Sequence, residues 1–236
     1  VLWAKNQFPA QHYALVFWNH GGGTQGIGQD TSRALNAPMM SLGQLHAAYQ
    51  TIRENLSQPL EMVLYDACLM SSIEVAEVTA TVAKVMTASA EIEPPHGLNY
   101  EHLLSNLGAT LPTDGIAVGK IVKDGYLQQS KDQGTFHNEQ ITYSVFDLSQ
   151  LPAFTATFQQ FATEFSNFIT QESAYRGSEV LSHGIIRAPG YPRRDAGRLD
   201  RSLDTKQNVR IDLYNVLQTA LPELVIPEFP QLKSYA

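Results

Sequence analysis

Cysteine is almost missing from this chain: a single thiol, Cys68, stands in 236 residues. One cysteine excludes an intramolecular disulfide and argues against a structural zinc site, so Cys68 must be read as a thiol and the redox compartment stays open. Positive charge is also scarce, 16 Lys and Arg against 23 Asp and Glu, and the net charge of -7 speaks against nucleic acid as the main partner. No apolar run approaches the roughly 18 to 20 residues that a membrane-crossing helix needs. An initiator methionine and a charged-then-apolar leader are both lacking at Val1, which reads as a start downstream of the native one. Internal repeats and low-complexity tracts are missing too. With 43% hydrophobic residues, the remainder suits one sizeable α/β domain.

What is present concentrates in two segments, Tyr13-Ala14-Leu15-Val16-Phe17-Trp18-Asn19-His20-Gly21-Gly22-Gly23 and Met62-Val63-Leu64-Tyr65-Asp66-Ala67-Cys68-Leu69-Met70. Each is an apolar run fit for a buried strand that stops at a residue able to do acid-base or nucleophilic chemistry. Between them, Ser41 followed by Gln44 forms a capping box, and Leu42, Leu45, Ala48, Tyr49 and Ile52 repeat at helical spacing. The resulting β-loop-α-β unit predicts two parallel strands. Reactive groups in such sheets gather beyond the strand carboxyl ends, so His20 and Cys68 are expected to meet as a dyad.

Other chemistries fit less well. His12, His46, His102, His137 and His183 have no metal-ligand spacing, and the glycines after His20 are followed neither by a G-x-S-x-G elbow nor by the Lys-Ser/Thr of a phosphate loop. A buried Cys or a surface His alone needs no function. A neutral thiol is a weak nucleophile, and a histidine of ordinary pKa can take and return its proton. Gly21 and the Cys68 amide are the candidate oxyanion donors, glycine allowing a sharp turn and close approach, while Gly22 and Gly23 serve a loop equally well.

Further along, helices are predicted from Ser72 to Ala80, from a Thr113 cap through Leu127, and from Ser149 through a stripe of Phe154, Phe158, Phe161, Phe165 and Phe168 that reads as core-facing. Strands are predicted at Val82 to Ala88 and Ile141 to Phe146, and a last helix at Ile211 to Ala220. Arg187 to Arg210 carries six Arg and one Lys, a solvated basic loop or else a segment near the substrate cleft or open to processing.

The ordered pair of strand/His-Gly and strand/Asp-Ala-Cys-Leu-Met resembles the clostripain-like cysteine peptidases, of the wider caspase, legumain, gingipain and separase group. The likeness extends to Ser71-Ser72-Ile73-Glu74-Val75-Ala76, the Ser89 to Tyr100 stretch, Thr142 to Leu148 and Ile211-Asp212-Leu213-Tyr214. It implies a caspase-like three-layer α/β/α sandwich with a central, mostly parallel sheet. It also implies a peptidase domain over residues 1–221, lacking a first strand and an acidic helix upstream, and a tail over 222–236. The implied activity is cysteine endopeptidase on peptide or protein substrates after Arg or Lys, in a bacterial secreted or cell-envelope setting. The alternatives are a peptidase-like domain that binds a peptide or partner without turnover, and an acyl-transferring or amidase enzyme using the same dyad.

By the same resemblance Asp66 lines the S1 pocket, although an acid capping the next helix explains it equally. Glu91, Glu93 and His96 would belong to the second pocket wall. Here Ala90 replaces one acid of the family's run, and His96 stands where an Asp would be expected. Arg33, in Asp30-Thr31-Ser32-Arg33-Ala34, is the candidate autocleavage site or an ordinary surface arginine. No organic cofactor is needed, and calcium, used by some relatives, has no Asp-rich loop to support it.

Overall fold

The computed structural model describes residues 1–30, 32, 38–110, 112, 114–134, 141–171, 190–191 and 210–211. The chain divides into two compact units, Val1–Leu151 and Pro152–Ala236. The first is built on a four-stranded sheet in the order β1 (Ala14–Trp18), β2 (Leu60–Asp66), β3 (Ala83–Ala88), β4 (Ser144–Asp147). β1, β2 and β3 run parallel, and β4 returns antiparallel to β3. The central strand β2 is buried along almost its whole length, as its unbroken apolar run requires, whereas β1 alternates between exposed and half-buried positions.

Alternation along β2 divides the core in two. Val63 and Tyr65 face α2 (Leu42–Glu54) and α3 (Ile73–Ala80), with Leu45, Tyr49, Val75 and Ala76 packed there. Met62 and Leu64 face the other side, against Leu103 of α4 (Tyr100–Thr110) and Val122 and Tyr126 of α5 (Gly115–Gln133). Helices on both faces of a mostly parallel sheet make the three-layer α/β/α sandwich that the sequence predicts. Asp66, in phase with Met62 and Leu64, therefore ends β2 on the α4/α5 side.

The Ser41–Gln44 capping box forms as read, and Ser72 opens α3 by accepting from the Val75 N–H. Buried hydroxyls are tied in a chain: Tyr49 Oη meets Tyr65 Oη at 2.7 Å, which meets Thr79 Oγ1 at 2.8 Å, which donates to the Val75 carbonyl at 2.7 Å. The sequence reading needs amendment elsewhere. α4 and the short α1 (Leu2–Gln7) were not predicted. The cap of α5 is Asp114, whose carboxylate accepts from Ala117 N–H at 2.8 Å.

A tight turn at Leu148–Gln150, capped by Asp147, closes the first unit, and α6 (Leu151–Gln171) runs from that unit's last residue through the start of the second. Its Phe154, Phe158, Phe161 and Phe165 stack ring on ring, with Phe154 and Phe158 exposed rather than core-facing. A short antiparallel pair joins β5 (Gly190–Tyr191) to β6 (Arg210–Ile211). Phe168's side chain, Arg33, Thr113, the rest of the Arg187–Arg210 segment, the predicted helix to Ala220 and the tail from 222 lie outside the described residues. No helix among those described is long and apolar enough to cross a membrane.

Candidate active site

β1 and β2 end level with each other, Trp18 opposite Asp66 in the parallel register. Asn19 extends the ladder by one bond, its N–H donating to the Asp66 carbonyl at 3.4 Å. Two residues beyond each strand end come His20 and Cys68, and both line one cleft of about 700 Å³ with Asp66, Ala67, Glu93 and Gly97. The loop carrying His20 is held by its own small bridges. Gly28 N–H donates to the His20 carbonyl at 2.9 Å, Gly22 N–H to that of Gly26 at 2.9 Å, and Ile27 and Met40 exchange both backbone bonds.

Gly21 passes so close to the turn at Cys68 that a Cβ there would sit 2.3 Å from the Cys68 carbonyl oxygen. No side chain fits that approach. Neither the Gly21 nor the Cys68 N–H donates to a carbonyl or to another residue's side chain among the described residues. Directly after Cys68, Leu69 takes a positive φ of 66°, a strained conformation for a leucine, and its N–H donates to the Glu91 carbonyl at 3.1 Å. The sequence carried no signal for that strain, which bends the chain sharply between β2 and α3.

The electrostatics of the cleft are acidic. Asp66 is 4% exposed and ends as an acceptor, from Leu98 N–H at 3.1 Å and from the Tyr100 hydroxyl at 2.7 Å. It does not cap α3, whose cap is Ser72. Gly97, at a φ of +61°, lies flat against it, a Cβ there falling 2.7 Å from Asp66 Oδ1. Burial raises the Cys68 thiol above its ordinary pKa; the Glu93 backbone pulls it down, and the charges of Glu93 and Asp66 push it up again. Burial, with the Asp66 charge and hydrogen bond behind it, pushes the Glu93 carboxyl up to about 9.

Of the other residues read as pocket wall, Glu91 and His96 do not line the cleft. Glu91 belongs to the loop's frame: its N–H bonds Ser89 Oγ at 3.1 Å and Thr142 Oγ1 at 3.2 Å, and burial raises its carboxyl. The His96 ring turns to α5, Nδ1 meeting Gln129 Nε2 at 2.8 Å and Nε2 meeting Ser130 Oγ at 3.2 Å. Trp18, 78% exposed at the end of β1, and Tyr100 reach the site without having been singled out in the sequence. Among the described residues no group of three or more His, Cys, Asp or Glu side chains is placed to hold a metal ion.

The model of the Clostripain family matches residues 2–213. A secreted C11 cysteine protease from Bacteroides thetaiotaomicron, solved with an irreversible peptide inhibitor, is 26% identical, with a TM-score of 0.51 over 65% of this chain and 44% of that one. An inactive zymogen C11 protease from Parabacteroides distasonis shares the fold at 18% identity, with a TM-score of 0.57 over 98% of this chain and 55% of that one. A second structure of a secreted C11 protease from B. thetaiotaomicron, iotapain, gives 22% identity and a TM-score of 0.51 over 68% of this chain and 45% of that one. The chain thus spans about half the length of these solved structures. No curated protein matches it.

Proposed function

The chain belongs to the clostripain family, and we propose that it is a cysteine endopeptidase that cuts after Arg or Lys. The observation that carries this reading is the level ending of β1 and β2, which sends His20 and Cys68 into one cleft beside the buried carboxylate of Asp66. Cys68 Sγ attacks the scissile carbonyl carbon as His20 removes the thiol proton. The oxyanion takes the N–H groups of Gly21 and Cys68. His20 then gives its proton to the leaving amine, the C–N bond breaks, and water hydrolyses the thioester. Asp66, with Glu93 beside it, receives the cationic P1 side chain. A peptide substrate agrees with the peptide inhibitor bound to the B. thetaiotaomicron relative, and a secreted or envelope location with that relative's description.

The test is a fluorogenic peptide panel differing only at P1 (Arg, Lys, Asn, Asp, Leu). Hydrolysis is expected to be confined to Arg and Lys, with kcat/KM for these falling roughly tenfold or more in Asp66→Asn as a buried charge pairing is lost. Turnover restricted to another P1 residue would retain the dyad and discard the specificity. Absence of turnover on all five would favour a domain that binds without cutting.

A zymogen among the relatives motivates a second prediction. Arg33 is the bond at which the chain cuts itself, so Arg33→Ala should abolish the corresponding fragment on denaturing gels and mass spectra. A fragment that persists at the same bond in that variant removes Arg33 from the scheme.

A further inference from the structure

Of the three carboxyl residues that line the cleft, Asp30, Asp66 and Glu93, the last two act on each other, where the basic-P1 reading needs one. Glu93 lines the cleft, is 9% exposed, and stands close enough to Asp66 that the Asp66 carboxylate raises the Glu93 carboxyl. Two carboxylates cannot hydrogen-bond each other unless one carries a proton. Both Asp66 oxygens already accept, from Leu98 N–H and the Tyr100 hydroxyl, whereas Glu93 Oε1 has no hydrogen-bond partner among the described residues. A buried acceptor without a donor, on a residue that lines the cleft, marks a place that a donor entering the cleft can satisfy.

Among the described residues no Lys or Arg acts on the pair. The groups facing it are the Cys68 thiol at the end of β2, Tyr100 on α4, Tyr126 on α5 and Tyr143 ahead of β4. All three tyrosine hydroxyls are raised, by burial first, and so stay neutral. His96, on the same loop as Glu93, is turned to Gln129 and Ser130 and packs against the Tyr126 ring at 5.9 Å.

We infer that Glu93 is a proton-exchanging specificity residue: in the empty pocket it shares one proton with Asp66, and the cation of a P1 Arg or Lys displaces that proton on binding. The inference rests on the basic-P1 reading above. The entering guanidinium brings several N–H donors to Glu93 Oε1, and the released proton passes to solvent. An Asp66–Glu93 pair that is singly negative when empty becomes doubly negative only around a cation, so a neutral P1 side chain meets a carboxylic acid at Glu93 and not a second charge.

The sign of the pH dependence follows. Glu93 in the empty pocket is held up to about 9, and a bound cation lowers it, so affinity for a basic P1 rises with pH from neutrality and levels near 9. Where a full proton is released, the slope approaches about tenfold per pH unit.

The test uses the full chain carrying Cys68→Ala, which removes both turnover and the thiol that would titrate in the same range. Binding of Ac-Ala-Ala-Arg-NH2 and of its neutral citrulline counterpart is followed by calorimetry from pH 6.5 to 9, in buffers of different ionisation enthalpy. The expected result is Arg-peptide affinity that climbs about tenfold or more, buffer-dependent heats that report proton release, and a flat profile for citrulline. Adding Glu93→Gln, checked for folding by circular dichroism, should flatten the Arg profile. The buffer-dependent heats need no second variant and decide the matter should Glu93→Gln not fold. Arg binding that is intact but independent of pH and buffer overturns this inference alone. Failure to bind the Arg peptide at any pH overturns it together with the basic-P1 reading.

Discussion

Replacing Cys68 by Ala is expected to cut peptide hydrolysis by on the order of 10⁴-fold or more, and His20→Ala by a comparable factor, because neither member can act without the other. The pairing is obligatory here for a stated reason. Burial holds the thiol above its ordinary value, and the Asp66 charge adds to that against a partial lowering by the Glu93 backbone. At neutral pH the sulfur is therefore protonated, and the nucleophile exists only once a base takes its proton during attack. Alkylation by iodoacetamide without substrate separates the two roles. It requires thiolate, so its rate in the parent protein should rise with pH, about tenfold per unit below the thiol pKa. Cys68→Ala loses both alkylation and hydrolysis. His20→Ala keeps alkylation at alkaline pH and loses hydrolysis. Fast, pH-independent alkylation from pH 6 upward would reveal a preformed thiolate and remove the need for a base. Hydrolysis retained in His20→Ala would sink its assignment.

How much of this the residues disclose in advance depends on the range of the forces involved. β1 and β2 were legible because an apolar run such as Met62 to Tyr65 can only be satisfied inside a sheet, and the Ser41–Gln44 box because a cap is a contact between residues three apart. Even there the local rules had limits. Thr113 and Asp114 are adjacent and both cap-competent, so propensity could not choose between them. α4 went unread although Leu103 and Leu107 recur four apart: Gly108 weakens the pattern, and its neighbour Leu104 is exposed.

The site was legible only as far as the strand ends reach. β alternation puts Asp66 on one face, yet what makes it an acceptor in a tight cradle is Leu98 and Tyr100, more than thirty residues later. His96 occupies a position that resemblance gave to the pocket, and Gln129 and Ser130 of α5 draw it elsewhere. Its missing negative charge is consequently no measure of the cleft's acidity. Glu93, two residues behind Glu91 on the same loop, reaches the cleft because the backbone of Glu91 is fixed by Leu69, Ser89 and Thr142. Such tertiary hydrogen bonds leave no period in a sequence.

The run Gly21-Gly22-Gly23 offers the sharpest remaining test, since its members look alike in sequence and differ in surroundings. Gly21→Ala should lower kcat by about a hundredfold, the order expected when reacting groups are displaced by an ångström. A Cβ at Gly21 would meet the Cys68 carbonyl oxygen at 2.3 Å, then the Ala67 Cβ and Met70 Cγ at 3.1 Å. The first contact is with backbone and cannot be relieved by a rotamer. The loop is also pinned at Gly22–Gly26, His20–Gly28 and Ile27–Met40, so it has to withdraw as a piece, taking His20 and the Gly21 N–H away from Cys68. Gly22→Ala is the internal comparison. Its Cβ would meet only side-chain atoms, Met39 Sδ at 3.0 Å and Gln25 at 3.1 Å, and its φ of -131° is open to any residue. Activity close to that of the parent is expected there. Stopped-assay kcat and KM for both variants, with melting temperatures measured alongside, make the comparison: Gly21→Ala should lose kcat with KM nearly unchanged and only a modest fall in stability. Equal losses in the two variants, or full kcat in Gly21→Ala, would mean that the approach of Gly21 to Cys68 serves the loop's packing and not the transition state.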